Sequence, residues 1–277
     1  MKSKTDGYLI AGGGTGGHVF PALALAGELA KRRPDAPIVF VGTARGLENE
    51  LVPRAGYPLE LVRARGIVGT SLVSKLAGGV ELPLGLADSW KLISRHAPRA
   101  VVGVGGYASG PVLATAWARR VPTVVHESNA VPGLTNRLLA KVVTRVAVGT
   151  EAALARLPAA VVVGNPVRAE FFTIPALETR PASRRLRILV VGGSQGARIL
   201  NRVMPEAMRL VASRGIAFEL LHQSGRARSG IDPQALRAAY GELTASAKVT
   251  EFVDDVASEL AAADLVVARS GAMTTAE

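Results

Sequence analysis

Gly12-Gly13-Gly14-Thr15-Gly16-Gly17-His18 decides the reading of this chain; Tyr8-Leu9-Ile10-Ala11 precedes it and Val19-Phe20-Pro21-Ala22-Leu23-Ala24 follows. A short apolar run, a glycine turn and a helix-like segment from Pro21 to Lys31 make a strand–loop–helix unit. Such a unit suits phosphate, because glycines let the backbone approach closely and a first helical turn offers unpaired N–H groups with a favourable dipole. The pattern returns at Ile188-Leu189-Val190-Val191, then Gly192-Gly193-Ser194-Gln195-Gly196-Ala197, then a helix-like run from Arg198. Two glycine-loop units, one in each half, organise the sequence.

Outward from these loops, apolar runs and helix-like segments alternate. Strands are expected at 8–12, 37–42, 59–62, 99–104, 122–126, 143–148 and 160–163, then at 186–192, 216–222, 247–251 and 264–268. Helices are expected at 19–33, 46–55, 70–96 (with a possible break at Pro83), 110–120, 133–141 and 150–156. In the second half they fall at 195–213, 232–245, 255–263 and from about 271. Continuous apolar strands suit a parallel sheet covered on both faces, and the βαβα rhythm implies an α/β, doubly wound fold. A Pro- and Arg-rich stretch at 164–187 reads as a linker, giving two Rossmann-like domains at 1–164 and 165–277. A helix is starting where the sequence reaches Thr274-Thr275-Ala276-Glu277, so the second domain is expected to be incomplete at its C-terminus.

The chain has 277 residues, 48% hydrophobic but only 4% aromatic, an Ala/Val/Leu-rich α/β composition long enough for two domains. It has no cysteine, which excludes disulfides and thiolate metal sites and suits a reducing cytoplasm. No apolar stretch reaches membrane-spanning length, so a soluble or peripheral protein is expected. With 33 Lys+Arg against 22 Asp+Glu, the charge of +11 favours phosphates or an anionic membrane face, although a GC-rich genome also yields such a balance. Nucleic acid is not an expected partner: no binding motif is present and few aromatics are available for stacking.

Gly12-x-Gly14-x-x-Gly17 is a literal dinucleotide fingerprint, but a nicotinamide enzyme also needs an acid at the end of the second strand. Here that strand ends Val39-Phe40-Val41-Gly42-Thr43. Nor does a Lys-Ser/Thr pair follow the glycines, as a P-loop requires. His18 stands at the helix entrance, a candidate catalytic or substrate-contacting residue, with turn capping as the alternative. His96, His126 and His222 have no partner at metal-ligand spacing, so neither metal nor cofactor is expected. Further polar loops follow strands at Gly103-Val104-Gly105-Gly106-Tyr107-Ala108-Ser109-Gly110-Pro111 and His126-Glu127-Ser128-Asn129. Asp254-Asp255 opens a helix and reads as a cap rather than a metal pair.

Taken in order, the motifs Gly-Gly-Thr-Gly-Gly-His-x-x-Pro-Ala-Leu-Ala, Gly-Gly-Tyr-x-Ser-Gly-Pro, His-Glu-x-Asn-Ala-x-x-Gly-x-x-Asn, Gly-Asn-Pro-Val-Arg, Gly-Gly-Ser-Gln-Gly-Ala, His-Gln-Ser-Gly and Arg-Ser-Gly-Ala-x-Thr span almost the whole chain. The ordered set resembles the bacterial N-acetylglucosaminyltransferases that convert lipid I to lipid II in peptidoglycan synthesis, the MurG family. That resemblance implies a GT-B glycosyltransferase with its site between two domains, the first on the acceptor and membrane side and the second holding UDP-N-acetylglucosamine. It implies Ser194, Ala272, Met273 and Thr274 near the donor diphosphate, Arg168 and Val253 near the nucleotide, and Glu277 on the ribose. Thr15, Gly16, Gly17 and Asn129 would close over the substrates, and loops containing Gly14, Gly105, Gly106 and Tyr107 would meet the acceptor diphosphate. Ser128 stands where many relatives carry Gln. His18 is the candidate general base of an inverting transfer.

The implied acceptor is undecaprenyl-diphosphate-linked muramoylpentapeptide, so a peripheral enzyme on the cytoplasmic face of the inner membrane is expected, serving cell-wall growth, cell shape and division. Leu72, Leu76 and Val80, then Leu86, Trp90 and Ile93, follow helical spacing, with Lys75, Lys91, Arg95, Arg119, Arg120 and Trp117 nearby. They form a candidate patch for an anionic membrane, or else core-facing positions. Two other readings stay open here: an inactive truncated fragment, or a GT-B transferase acting on another lipid acceptor.

Overall fold

The apolar runs of the first half become seven parallel strands in the computed structural model. They are β1 (Tyr8–Ala11), β2 (Ile38–Gly42), β3 (Leu59–Leu61), β4 (Ala100–Gly103), β5 (Thr123–Glu127), β6 (Arg145–Val148) and β7 (Val161–Val162), in the order β3-β2-β1-β4-β5-β6-β7. The structure describes residues 6–65, 72–176, 179, 185–193, 196–225, 232–241, 243 and 246–277, with the backbone alone over 72–80. The chain divides into two compact units, the first ending at Arg168 and the second beginning at Ala169.

Burial on both faces explains the unbroken apolar runs of the central strands. Leu9, Ala11, Val39, Val41 and Val101 point to one side, where Leu92 and Ile93 of α3 (Leu72–His96), Val112, Leu113 and Ala116 of α4 (Ser109–Ala118) and Leu139 of α5 (Leu134–Leu139) cover them. Ile10, Ile38, Phe40 and Val102 point to the other, against Val19, Ala22 and Ala26 of α1 (Gly16–Arg32) and Val52 of α2 (Glu48–Arg54). Burying each Val, Leu, Ile or Phe among them is worth about 1.5–3 kcal/mol.

Three local expectations are corrected. Helix α3 runs unbroken through Pro83, which removes one backbone donor without stopping a helix anchored further along. That anchor is a fork from Arg63 Nε and Nη2 to the Asp88 carboxylate, at 2.7 and 2.6 Å, and a side chain on Gly85 would strike the Arg63 carbonyl. Ile93 is core, so the stripe Leu86–Trp90–Ile93 is not one exposed face. Glu151–Ala155 is a 3₁₀ turn instead of an α-helix.

The second unit holds β8 (Leu186–Val191), β9 (Phe218–Gln223), β10 (Ala247–Thr250) and β11 (Leu265–Ala268), parallel in the order β10-β9-β8-β11. Helices α6 (Arg198–Ser213), α7 (Pro233–Gly241) and α8 (Val256–Ala262) accompany them. Met204 and Met208 of α6 and Leu236 and Tyr240 of α7 pack on Ile188, Val190, Phe218 and Leu220. Asp255 caps α8, accepting from the Ser258 amide at 3.0 Å. In each unit the strand order reverses beside the first strand, between β1 and β4 and between β8 and β11, and such switch points are where open α/β sheets bind ligands.

Candidate active site

At the first switch point the loops after β1 and β4 interlock. Gly105 and Gly106 have φ of +95° and +80°; a side chain on Gly105 would strike the His18 ring, and one on Gly106 the Gly13 carbonyl. These two glycines therefore make room for the first loop. The His18 Nδ1 lies 3.2 Å from the Gly13 carbonyl oxygen. A carbonyl only accepts, so Nδ1 carries the proton and Nε2 the lone pair. Burial pushes the His18 pKa below the ordinary histidine range, against the hydrogen bond to Gly13 and the fields of Glu127 and Glu48. Thr15 opens α1 without a side-chain capping bond; Gly16 is buried, Gly17 exposed, and Tyr107 is 55% exposed.

Behind this loop is a residue the sequence reading missed. Glu48, only 1% exposed, accepts from the Gly14 amide at 2.7 Å, the Thr43 amide at 3.0 Å and the Thr43 hydroxyl at 3.1 Å. Thus the acid missing from the end of β2 arrives from the start of α2, aimed at the protein's own loop. Its signal in sequence is faint: the surrounding glycines, Gly13, Gly42 and Gly46, are scattered, and each leaves the volume that the Glu48 side chain fills.

Both Asn and the Gly of the His-Glu-x-Asn-Ala-x-x-Gly-x-x-Asn motif converge on its glutamate, Glu127, which is 3% exposed. Its carboxylate accepts from the Asn129 amide (2.9 Å), Asn129 Nδ2 (2.8 Å), the Gly133 amide (3.0 Å) and Asn136 Nδ2 (2.9 Å). His126 Nε2 donates to the Gly164 carbonyl at 3.0 Å, tying β5 to the Gly-Asn-Pro-Val-Arg segment, and burial holds its pKa low. Ser128 is buried. Arg168 ends this unit with its guanidinium 4.6 Å from the Phe20 ring of α1.

In the second unit the grip on the loop is reversed in sign. Arg269 donates from Nε and Nη2 to the Gly192 carbonyl at 3.0 and 2.5 Å, and Gln223 Nε2 donates to the Gly193 carbonyl at 3.0 Å. Neither Arg269 nor Gln223 was assigned a role from sequence. The segment after β11 coils into a helical turn, the Thr275 amide bonding the Gly271 carbonyl and the Glu277 amide that of Met273. Ala272 and Thr274 are half-buried, Met273 and Val253 buried, and Glu277 half-buried. Ser194 lies outside the described residues.

His222 belongs to the core, not to a site. It is fully buried, with Nε2 3.0 Å from Asn201 Oδ1 and Nδ1 2.7 Å from the Tyr240 hydroxyl. Asn201 Nδ2 donates to the Ser224 carbonyl, so Oδ1 accepts from Nε2–H and the tyrosine donates to Nδ1. Burial lowers the His222 pKa to about 4.

On the candidate membrane patch, Trp90 and Trp117 are 54% and 51% exposed, with Arg119 stacked 4.7 Å from the Trp90 ring. Leu82, Leu84 and Leu86 are exposed as well. Leu72, Lys75, Leu76 and Val80 are described by their backbone alone, as part of α3. No helix among the described residues is long and apolar enough to cross a membrane, and no group of three or more His, Asp or Glu is arranged to hold a metal ion.

The arrangement has relatives. The glycosyltransferase family 28 N-terminal domain matches residues 8–148, and the family's C-terminal domain matches residues 187–277. The UDP-N-acetylglucosamine–N-acetylmuramyl-(pentapeptide) pyrophosphoryl-undecaprenol N-acetylglucosamine transferase of Myxococcus xanthus is 44% identical, over 97% of this chain and 70% of that protein. Its namesake from Anaeromyxobacter dehalogenans is 46% identical over the same shares. Among solved structures, Acinetobacter baumannii MurG superposes with a TM-score of 0.70 at 29% identity, covering 97% of this chain and 75% of that one. The chain belongs to this family of N-acetylglucosamine transferases and has its two-domain GT-B fold.

Proposed function

We propose that this chain catalyses the reaction for which its family is named: it moves N-acetylglucosamine from UDP-N-acetylglucosamine to the muramyl sugar of undecaprenyl-diphosphate-linked muramoylpentapeptide. That is an inverting hexosyl transfer, converting lipid I to lipid II in peptidoglycan synthesis. The acceptor hydroxyl gives its proton to His18 Nε2 while its oxygen bonds to the anomeric carbon. The bond from that carbon to UDP breaks, and its electron pair leaves on the diphosphate. The observation that carries the reading is the His18 Nδ1–H bond to the Gly13 carbonyl, which keeps the lone pair on Nε2 of a ring whose pKa burial lowers.

For the donor, the proposal takes Ser194, Ala272, Met273 and Thr274 to the diphosphate, Arg168 and Val253 to the nucleotide and Glu277 to the ribose. Thr15, Gly16, Gly17 and Asn129 contribute from the first unit. The guanidinium of Arg269 behind Gly192 supports an anionic ligand at the second switch point. For the acceptor diphosphate, the Gly14 amide is already engaged by Glu48, whereas Tyr107 is exposed. Tyr107 is therefore the member of the Gly14, Gly105, Gly106 and Tyr107 set expected to touch the ligand. Trp90, Trp117 and the exposed leucines of α3, with Lys91, Arg95 and Arg120, support peripheral binding to the anionic cytoplasmic face of the inner membrane; Leu72, Lys75 and Leu76 extend the patch in this reading.

Calorimetry of UDP-N-acetylglucosamine against UDP-glucose, followed by transfer of labelled sugar to a lipid I analogue, tests the proposal. Selective donor binding and an acceptor-dependent product are expected. A chain that binds the donor but glycosylates another lipid acceptor in preference to the lipid I analogue overturns the acceptor assignment.

A further inference from the structure

Glu48 and His18 are joined by a single peptide group. Glu48 Oε2 accepts the Gly14 N–H at 2.7 Å, and the other end of that peptide, the Gly13 carbonyl, accepts from His18 Nδ1 at 3.2 Å. The described residues contain no cis peptide, and a trans peptide points its N–H and C=O in opposite directions, so the carboxylate and the imidazole grip opposite ends of one dipole. A carboxylate on the N–H polarises the carbonyl and makes it a stronger acceptor.

The carboxylate is fixed as tightly as the loop it holds. A side chain on Gly13 or Gly46 would strike its oxygens, and one on Gly42 its γ-carbon. Two bonds from Thr43 hold the second oxygen. A glutamate in the first turn of a helix ordinarily faces solvent and the helix's own amides. This one is buried against a different loop, and the peptide it grips ends at the proposed base.

We propose that Glu48 is a positioning residue for glycosyl transfer, acting on the His18 imidazole through the Gly13–Gly14 peptide. It rests on the reading of His18 as general base. Through the peptide, Glu48 fixes the Nδ1–H tautomer that leaves Nε2 basic, and it stabilises the imidazolium formed when Nε2 takes the acceptor's proton. Among the described residues, the charged groups whose fields reach His18 are Glu127, from the end of β5, and Glu48, from α2; the β4–α4 loop presents Gly105 to the ring.

Long-range ¹H–¹⁵N spectra of histidine-labelled chain, with His18 assigned through His18→Gln, test this without turnover. In the unmodified chain His18 is expected as the Nδ1–H tautomer, and the Gly14 amide signal is expected to follow the His18 titration. In Glu48→Gln one carboxamide position becomes a donor facing a donor. The Nδ1–H population and the His18 pKa should fall, the acid limb of kcat/KM should move to lower pH, and kcat should drop about tenfold to a hundredfold with KM for UDP-N-acetylglucosamine unchanged. Thr43→Val, which removes only a hydroxyl from the far carboxylate oxygen, should lower Tm but leave tautomer and pH profile alone. A folded Glu48→Gln with the wild-type His18 tautomer and pKa overturns the proposal. So does a Gly14 amide indifferent to the His18 titration, a measurement that stands even if the variant does not fold. Should the Gly14–His18 coupling be present in a chain that transfers no sugar to a lipid I analogue, the functional reading has failed and the coupling has not.

Discussion

The two switch points use the same strand–glycine–helix unit and hold it from behind with opposite charge. In the first unit a buried carboxylate takes a backbone N–H; in the second a guanidinium and a carboxamide take backbone carbonyls. Because a trans peptide is antiparallel, holding the Gly192 carbonyl turns the Gly193 N–H away from Arg269, while holding the Gly14 N–H turns the Gly13 carbonyl toward His18. A loop with cationic backing suits an anion, and a loop with anionic backing suits a base. On the proposed reading, the difference suits the second copy of the motif to the donor diphosphate and the first to proton transfer.

The contrast breaks most severely at His18. Replacing it with alanine should lower kcat by about a hundredfold to ten-thousandfold while calorimetric donor affinity holds; near-normal turnover would remove His18 as the base. Next comes a pH test that separates the halves. The pKa of His222 lies at about 4 in the fold against 6.5 unfolded, so its neutral form contributes stability present above pH 6.5 and lost as pH falls toward 4. Between pH 7 and pH 5 the opening free energy of the β8–β9 amides by hydrogen exchange should fall by about 2 kcal/mol. A flat profile would mean that the His222–Tyr240–Asn201 network tolerates the imidazolium.

A smaller effect is expected at Arg269. Arg269→Met leaves the Gly192 carbonyl without its cationic donors and should weaken UDP-N-acetylglucosamine binding about tenfold, with the His18 pH limb unmoved. If donor affinity holds and the acid limb shifts, the assignment of the two loops is reversed. Smallest is the surface: Trp90→Ala should reduce binding to anionic vesicles a few-fold, roughly 1 kcal/mol, with donor affinity intact.

The strands were legible because sheets covered on both faces demand unbroken apolar runs, and the loops because glycines mark every close approach. Gly12, for example, has no room for a side chain beside Val104. His18 was legible by its position, as a histidine at the helix entrance of such a loop. Glu48 was not, since its partners at positions 14 and 43 belong to other elements and a glutamate opening a helix looks like an ordinary dipole partner. Arg269 and Gln223 were hidden for the same reason: in sequence they resemble strand-end polar residues, and only the parallel packing of β8, β9 and β11 turns them onto carbonyls. Pro83 misled because a breaker signal is local, whereas the fork from Arg63 to Asp88 holds the helix from outside.

The cluster of bonds on Glu127 also bears on re-engineering. Four donors spaced from Asn129 to Asn136 converge on two oxygens, so the segment between them behaves as a ring closed by one side chain. Such a ring has a fixed circumference. Inserting or deleting a residue between 127 and 136 should uncouple β5 from α5, whereas substitutions at the exposed Val131 or Leu134 leave the closure intact. Libraries in this segment should vary those outward positions and keep the length.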